Sequence, residues 1–372
     1  MKIAIFPPSL EVGGVQRVAL SLARGFLAQN IDVELVLIKK EGAFLDHVPP
    51  ELPIVDLQAT RALTSIVPLS AYLRKSQPDV LLAISESVNL PAIWAKMLPR
   101  SGKTKIAVMV VNTLSQYQAN TNIRREKVYT TLTRWFYPRA DYVIALSEGI
   151  RQDLAAFIHF PLDRIITMPS PVLTPDFYER ANQPISHYWF DEDTSEKKDD
   201  IPIILGVARF VQAKDLETLI RAFAIVRAQR PARLLIIGDG EDRPKLEALV
   251  SELGLSDEDV SLPGFLHNLP YMKATDVFVL SSVFEGLPTV LIESLACSPA
   301  IVSTDCPSGP QEILDGGKYG IIVPMRDPQA MATAIMHQLD HPPDVEPLRK
   351  QAQNYSMEVV INRYLELFGN TQ

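Results

Sequence analysis

Short apolar runs alternate with longer amphipathic stretches in two separate series along this chain, and that rhythm limits the fold more than any other feature. A short apolar run reads as a buried strand, and an apolar position every third or fourth residue reads as a helix face. Strand–helix–strand alternation builds a parallel sheet with helices on both faces. In the first series the strands are Lys2–Phe6, Val33–Ile38, Val80–Ile84, Ile106–Val111 and Tyr142–Leu146. Helices are expected at Val15–Gln29, Leu63–Ser76, Asn89–Met97 and about Asn122–Tyr137. The pattern breaks at Pro169, Pro171 and Pro175, and the polar, acidic stretch Ile185–Asp200 reads as a partly mobile connection. A second series places strands at Ile203–Ala208, Leu234–Ile237, Val260–Leu262, Val277–Leu280, Ala300–Val302 and Gly320–Val323, and a last helix at Met357–Phe368 lies beyond it. The expected domains are therefore 1–180 and 201–350, with a linker at 181–200 and a terminal helical segment at 351–372.

Length and composition agree with two or three ordinary domains: 372 residues, 47% hydrophobic and 22% charged, describe a globular chain. The net charge of −8 is uneven, with 20 basic against 16 acidic residues up to residue 180 and 16 against 28 after it. An acidic chain without a single basic stripe argues against nucleic acid, although the basic first half could face anionic lipid or a phosphorylated acceptor. Cys297 and Cys306 make no disulfide framework, the apolar start is too short for a signal peptide, and no window approaches ~18 apolar residues, so a cytoplasmic protein is expected.

The chemistry concentrates between Val279 and Glu293, V-L-S-S-V-F-E-G-L-P-T-V-L-I-E. A strand ends in Ser281 and Ser282, Glu285 follows on a turn, and Pro288 is placed to open a helix that carries Glu293. Amides of Gly286, Leu287 and Thr289 then lie at the positive end of a helix dipole, where an anion is favoured. Glu285 and Glu293 can face one polyhydroxylated ligand, or each can be a solvated helix-end residue; for either acid alone the two readings weigh about evenly. Arg209 and Lys214, five apart after a strand end, can fold onto one diphosphate or remain solvated cations.

E-G-L-P-T-V-L-I-E resembles the signature of the retaining glycosyltransferases of family four. Ser303–Pro324 resembles the loop, helix and strand that follow in that family, and Gly206–Asp215 resembles its basic diphosphate clamp. The resemblance implies the GT-B fold: two Rossmann-like α/β domains with parallel sheets facing across a cleft, and a C-terminal helix crossing back to the first. It implies transfer of a hexose or N-acetylhexosamine from a nucleotide-diphosphate sugar, UDP-linked in this reading, to a glycan, lipid-linked or small-molecule acceptor, with no cofactor. Arg209 and Lys214 would hold the diphosphate, Glu293 the ribose and Glu285 the donor sugar. Gly286, Leu287 and Pro288 would form the turn beside them. Gly264, Phe265 and Asn268 fall at the family's base-binding loop, and Gly14, with Gly13, at its N-terminal glycine loop. The family's proposed front-face mechanism, in which the leaving phosphate assists the acceptor hydroxyl, fits the lack of an evident base or nucleophile.

Two positions depart from the family pattern. Val111 stands where many members carry a His facing the donor sugar, and Ser298 where a Gly usually ends the helix, at a cost of roughly 1 kcal/mol if it is left-handed. Other chemistries find little support: the six His include no ligand-spaced pair on a helix, His341 before two prolines reading as a turn residue, no D-x-D is apparent where a metal-dependent transferase needs one, and Ser85 lies outside a nucleophile elbow. The run Arg124–Arg139 either lies on a membrane or, in the favoured reading, is a helix packed by Trp135 and Phe136 with a solvated basic face. A phosphorylase or epimerase of the same fold and a non-catalytic nucleotide-sugar-binding protein stay open as alternatives.

Overall fold

The computed structural model describes residues 1–11, 13–99, 102–115, 123–191 and 193–369, with the side chains of 123–127 outside the description. Two compact units are present: Met1–Val172 together with the stretch from Tyr355, and Leu173–Asn354.

The first unit holds a seven-stranded sheet of β1 (Lys2–Phe6), β2 (Asp32–Leu37), β3 (Ile54–Asp56), β4 (Val80–Ile84), β5 (Lys105–Val110), β6 (Tyr142–Ala145) and β7 (Ile165–Thr167). Its order is β3-β2-β1-β4-β5-β6-β7, and every described pairing is parallel. Helices α1 (Gly14–Ala28), α2 (Ile66–Ser76), α3 (Glu86–Met97), α4 (Ile123–Phe136) and α5 (Glu148–Ile158) connect the strands. Strands β3 and β7 escaped the sequence reading because three-residue strands carry too little period to register, and the eleven-residue helix α5 was missed as well. Along β4 every residue is buried, which is why its sequence V-L-L-A-I shows no polar alternation.

The second unit holds β8 (Ile203–Val207), β9 (Arg233–Ile237), β10 (Val260–Gly264), β11 (Val277–Leu280), β12 (Ile301–Thr304) and β13 (Ile321–Val323), in the order β10-β9-β8-β11-β12-β13. Its helices are α6 (Phe177–Ala181), α7 (Leu216–Gln229), α8 (Arg243–Glu252), α9 (Asn268–Ala274), α10 (Thr289–Cys297), α11 (Pro310–Ile313), α12 (Pro328–Asp340) and α13 (Val345–Ala352). Leu219, Phe223, Ile236, Val279 and Ile335 are fully or almost fully buried in its core, each contributing roughly 1.5–3 kcal/mol of hydrophobic stabilisation.

The last helix, α14 (Met357–Gly369), belongs to the first unit. Tyr364 packs edge-on against Phe26 at 6.1 Å between ring centroids. A Cβ at Gly25 would lie 2.4 Å from Ile361 Cγ1, so only glycine lets α1 and α14 approach this closely. The first unit runs to Val172 and resumes at Tyr355, and Val172 N–H donates to the Tyr355 carbonyl at 2.9 Å.

Residues 185–191 and 193–200 belong to the second unit and are anchored to it by buried aromatics and ion pairs. Trp189 and Phe190 are buried, Lys197 pairs with Asp276 at 2.8 Å, and Asp199 takes both Arg233 guanidinium nitrogens at 2.9 Å. Lys197 and Asp199 are thus partnered across the fold while Asp193, Glu196, Lys198 and Asp200 are exposed, and Arg233 also covers the Trp189 ring at 5.3 Å.

Candidate functional site

Ligands of open parallel sheets bind outside the carboxyl ends of the strands where the strand order reverses. In the second sheet that point lies between β8 and β11, which pair with each other while their chain neighbours lie to either side. The segments leaving these two strands are 208–215 and 281–288, which carry Arg209, Lys214, Glu285 and the turn ahead of α10. Backbone and side-chain bonds join them: Val283 N–H donates to the Ala213 carbonyl at 2.9 Å and Ser281 Oγ to the Lys214 carbonyl at 2.7 Å.

Lys214 Nζ lies 2.6 Å from Glu285 Oε1, and Ser282 Oγ donates to the same oxygen at 2.6 Å. The Glu285 side chain is only 10% exposed and that of Lys214 23%, so the pair is shielded from full water screening. Arg209 is exposed, and its side chain has no ion-pair or hydrogen-bond partner among the described residues. One clamp cation is thus already engaged by a carboxylate while the other is open to an anion.

Pro288 does not open the helix but caps it: α10 begins at Thr289, and Pro288 holds extended φ/ψ of −71° and 91°. No side chain caps this N-terminus, which leaves its dipole end suited to an anion. The turn is held from below by the loop after β12. Ser308 Oγ donates to the Gly286 carbonyl at 2.7 Å, and Thr304 Oγ1 to the Ser282 carbonyl at 2.6 Å. Gly309, at φ 104°, packs where a Cβ would meet Pro288 Cδ at 2.3 Å, so glycine is required there. Ser282, Thr304 and Ser308 lie in stretches the sequence singled out, but their bonds to the turn were not expected, although the S-G pair after C-P was a turn signal that could have drawn attention to Ser308.

On the same side of α10, Asn268 Nδ2 donates to Glu293 Oε2 at 2.7 Å. Asn268 therefore meets the second acid directly rather than standing apart in a separate loop. Gly264, at φ 91°, ends β10 with its carbonyl accepting from Gly238 N–H at 2.8 Å, and Phe265 beyond it is 77% exposed. Leu287 is partly exposed within the turn. Ser298, expected to strain the end of α10, adopts extended φ/ψ of −78° and 145°, so the left-handed penalty does not arise. Burial pushes both thiols, Cys297 and Cys306, up to about 12, which keeps them protonated near neutral pH.

Gly14 belongs to the first unit. It is the first residue of α1, behind an extended Gly13, and a Cβ there would meet nothing within 4 Å. The order of the first sheet reverses between β1 and β4. At the end of β4, Ser85 takes φ 103°, ψ 147°, and Glu86 Oε1 accepts from Val111 N–H at 3.2 Å and Asn112 N–H at 3.3 Å. Burial raises the Glu86 carboxyl above its ordinary range. Val111 is 7% exposed, an apolar side chain tucked in at the end of β5. Among the described residues no group of three or more His, Cys, Asp or Glu could hold a metal ion.

Two parallel α/β units of this topology, the second with a cationic crevice and carboxylates at its switch point, are the GT-B architecture. The family model described as glycosyltransferase family 4 matches residues 12–174, and that described as glycosyl transferases group 1 matches residues 201–341. The chain is thus a glycosyltransferase of the family-four type. It is 28% identical over 367 residues to a Campylobacter jejuni N-acetylgalactosamine-N,N'-diacetylbacillosaminyl-diphospho-undecaprenol 4-alpha-N-acetylgalactosaminyltransferase, covering 95% of this chain and 93% of the relative. Among solved structures, HepE of Anabaena in complex with UDP superposes with a TM-score of 0.76 at 17% identity over the full length of both chains. A glycosyltransferase from Rickettsia africae gives 0.80 at 16% identity, covering 99% of this chain and 98% of that one.

Proposed function

We propose that the chain is a retaining, metal-independent glycosyltransferase that moves a hexosyl or N-acetylhexosaminyl group from a UDP-linked donor to a lipid-linked glycan at the cytoplasmic membrane face. The observation that carries this reading is the Lys214–Glu285 pair beside the uncapped start of α10, with Arg209 open nearby in sequence. Diphosphate charge grows as the bond to the sugar breaks, and in this reading Arg209, Lys214 and the amides of Gly286, Leu287 and Thr289 meet it. Glu285 faces the sugar, whose anomeric carbon becomes electron-poor, and Glu293, steadied by Asn268, accepts from the ribose hydroxyls. The donor belongs to the second unit and the acceptor to the first, where Glu86 holds the turn after β5. The C. jejuni relative's diphospho-undecaprenol acceptor and the UDP bound to HepE support the choice of acceptor and nucleotide.

Incubation with a panel of UDP-sugars and a short-chain polyprenyl-diphosphate glycan tests the reading. Acceptor-dependent release of UDP and an α-linked product by NMR are expected. Phosphate-dependent release, as from a phosphorylase, sugar epimerisation without an acceptor, or binding without turnover would each replace it.

A further inference from the structure

Ser85 departs furthest from ordinary backbone geometry among the described non-glycine residues of positive φ. Its φ of 103° and ψ of 147° fall in a region essentially confined to glycine, whereas the others lie between 44° and 70°, where a side chain is better tolerated. Such conformations persist where the surroundings enforce them, and they concentrate at sites that bind or react.

The enforcement comes from the start of α3. Glu86, its first residue, reaches β5, where Oε1 accepts from Val111 N–H at 3.2 Å and Asn112 N–H at 3.3 Å. Nearly one turn on, Asn89 Nδ2 donates to the Met109 carbonyl at 2.9 Å, and Tyr129 of α4 donates its hydroxyl to the Glu86 carbonyl at 2.6 Å. The strained turn cannot relax without giving up these bonds.

The carboxylate is only half used by them. Oε2 has one hydrogen-bond partner among the described residues, Ser85 Oγ at 3.3 Å, which also lies 3.5 Å from Ser87 Oγ. A brace for two backbone amides needs one oxygen, and a glutamine would supply it without the cost of burying a charge. The α3 dipole favours an acid here, but it does not account for a glycine-like backbone at Ser85. The place is that of a ligand site: β4 lies beside β1 where the order of the first sheet reverses, and the turn leaves β4 at its carboxyl end. Glu86 is partly exposed and Ser87 exposed, so the turn is within reach of a ligand.

We propose that Ser85–Ser87 is an acceptor subsite, in which Glu86 Oε2 accepts a hydrogen bond from a sugar hydroxyl of the acceptor glycan and Ser87 Oγ makes a second contact. An ionised carboxylate only accepts, so it selects a hydroxyl and repels a phosphate. The inference rests on the transferase reading above and adds the residue that holds the acceptor.

The test is transfer to the short-chain polyprenyl-diphosphate glycan by the wild-type chain, Glu86→Gln and Ser87→Ala. Glu86→Gln keeps an oxygen for the Val111 and Asn112 amides and sets an uncharged amide nitrogen in place of Oε2. It should lower acceptor kcat/KM about 10- to 100-fold, the loss of a charge-assisted bond, with thermal midpoint and calorimetric UDP affinity close to wild type. Ser87→Ala should lower it about 2- to 10-fold, and because Ser87 is exposed it reads the subsite even where Glu86→Gln is destabilised. In the wild type, acceptor kcat/KM should also fall on acidification through a pKa above the ordinary glutamate value of about 4.3, since burial raises the Glu86 carboxyl. That limb should be missing from Glu86→Gln. The titratable groups that Glu86 faces among the described residues, Tyr129 and Tyr137, are both held above the ordinary tyrosine range, first by burial, so neither changes charge there. An unchanged acceptor kcat/KM, a persisting acid limb, or an equal loss of UDP affinity, the mark of a structural defect, would overturn this inference alone. Absence of transfer by the wild type would remove the transferase reading with it.

Discussion

Replacing Lys214 with Met is the most informative single change, because it touches stability and ligand binding through one ion pair. Glu285 Oε1 receives hydrogen bonds from Lys214 and Ser282, both at 2.6 Å, with its side chain only 10% exposed. Without the ammonium group the carboxylate keeps the serine but loses its counter-charge. Breaking a fully buried pair costs about 3–5 kcal/mol and an exposed one about 0–1, and this pair, with Lys214 23% exposed, falls between. A loss of about 2 kcal/mol is expected for Lys214→Met, and about 1 for Glu285→Gln, which keeps an acceptor and the side-chain volume. The double variant should be more stable than the sum of the two losses implies, by about 1 kcal/mol, because neither change then strands a charge. Chemical denaturation of the four proteins reads this cycle. In calorimetry Lys214→Met should weaken UDP about 10- to 100-fold, the loss of one charge-assisted bond to phosphate. Glu285→Gln should leave UDP binding close to wild type and chiefly lower kcat. Strict additivity in the cycle, or unchanged UDP affinity in Lys214→Met, would refute the reasoning.

Asn268→Ala removes the bond at 2.7 Å that holds Glu293, and should raise the donor KM several-fold with a smaller effect on kcat, since ribose is bound alike before and during transfer; a kcat loss at constant KM would place Asn268 elsewhere. Turnover should survive EDTA, and activity abolished by chelation and restored by Mn²⁺ would contradict a metal-independent reaction. His187, whose ring nitrogens contact Ser261 Oγ and Trp189 N–H, has its pKa lowered to about 4, first by burial and then by Arg233. Between about pH 6.5 and 4 the unfolded chain binds that proton and the folded chain does not, so stability from neutral His187 is full above about 6.5 and falls through this window. His187→Gln should flatten the fall, measured as thermal midpoint against pH; an unchanged slope would assign the loss to other groups.

Much of the architecture was readable in the sequence because a buried parallel strand and an amphipathic helix each impose a local period. Val80–Ile84 and Val277–Leu280 come out with the bounds expected, and the ends of other elements move by a few residues where caps rather than periodicity decide. The turn E-G-L-P and the spacing of Glu285 and Glu293 were likewise local properties. Where the local signal was composition alone it misled in part: Lys197 and Asp199 read as solvated and are paired, and Trp135 read as core and is exposed. A single apolar residue reports what it would gain by burial, not whether a neighbouring surface is there to bury it.

What the tertiary structure alone decided is which distant residues meet. Lys214 reaches Glu285 across 71 residues because β8 and β11 are neighbours in the sheet, and Asn268 reaches Glu293 because α9 and α10 follow adjacent crossovers. The terminal helix lies against α1 because Gly25 leaves room for Ile361. Each of these depends on strand order and helix approach. Periodicity is silent on both, since a strand carries the same buried pattern whichever strand it pairs with; the order is settled by the packing of whole layers, and the chemistry of the crevice follows from it.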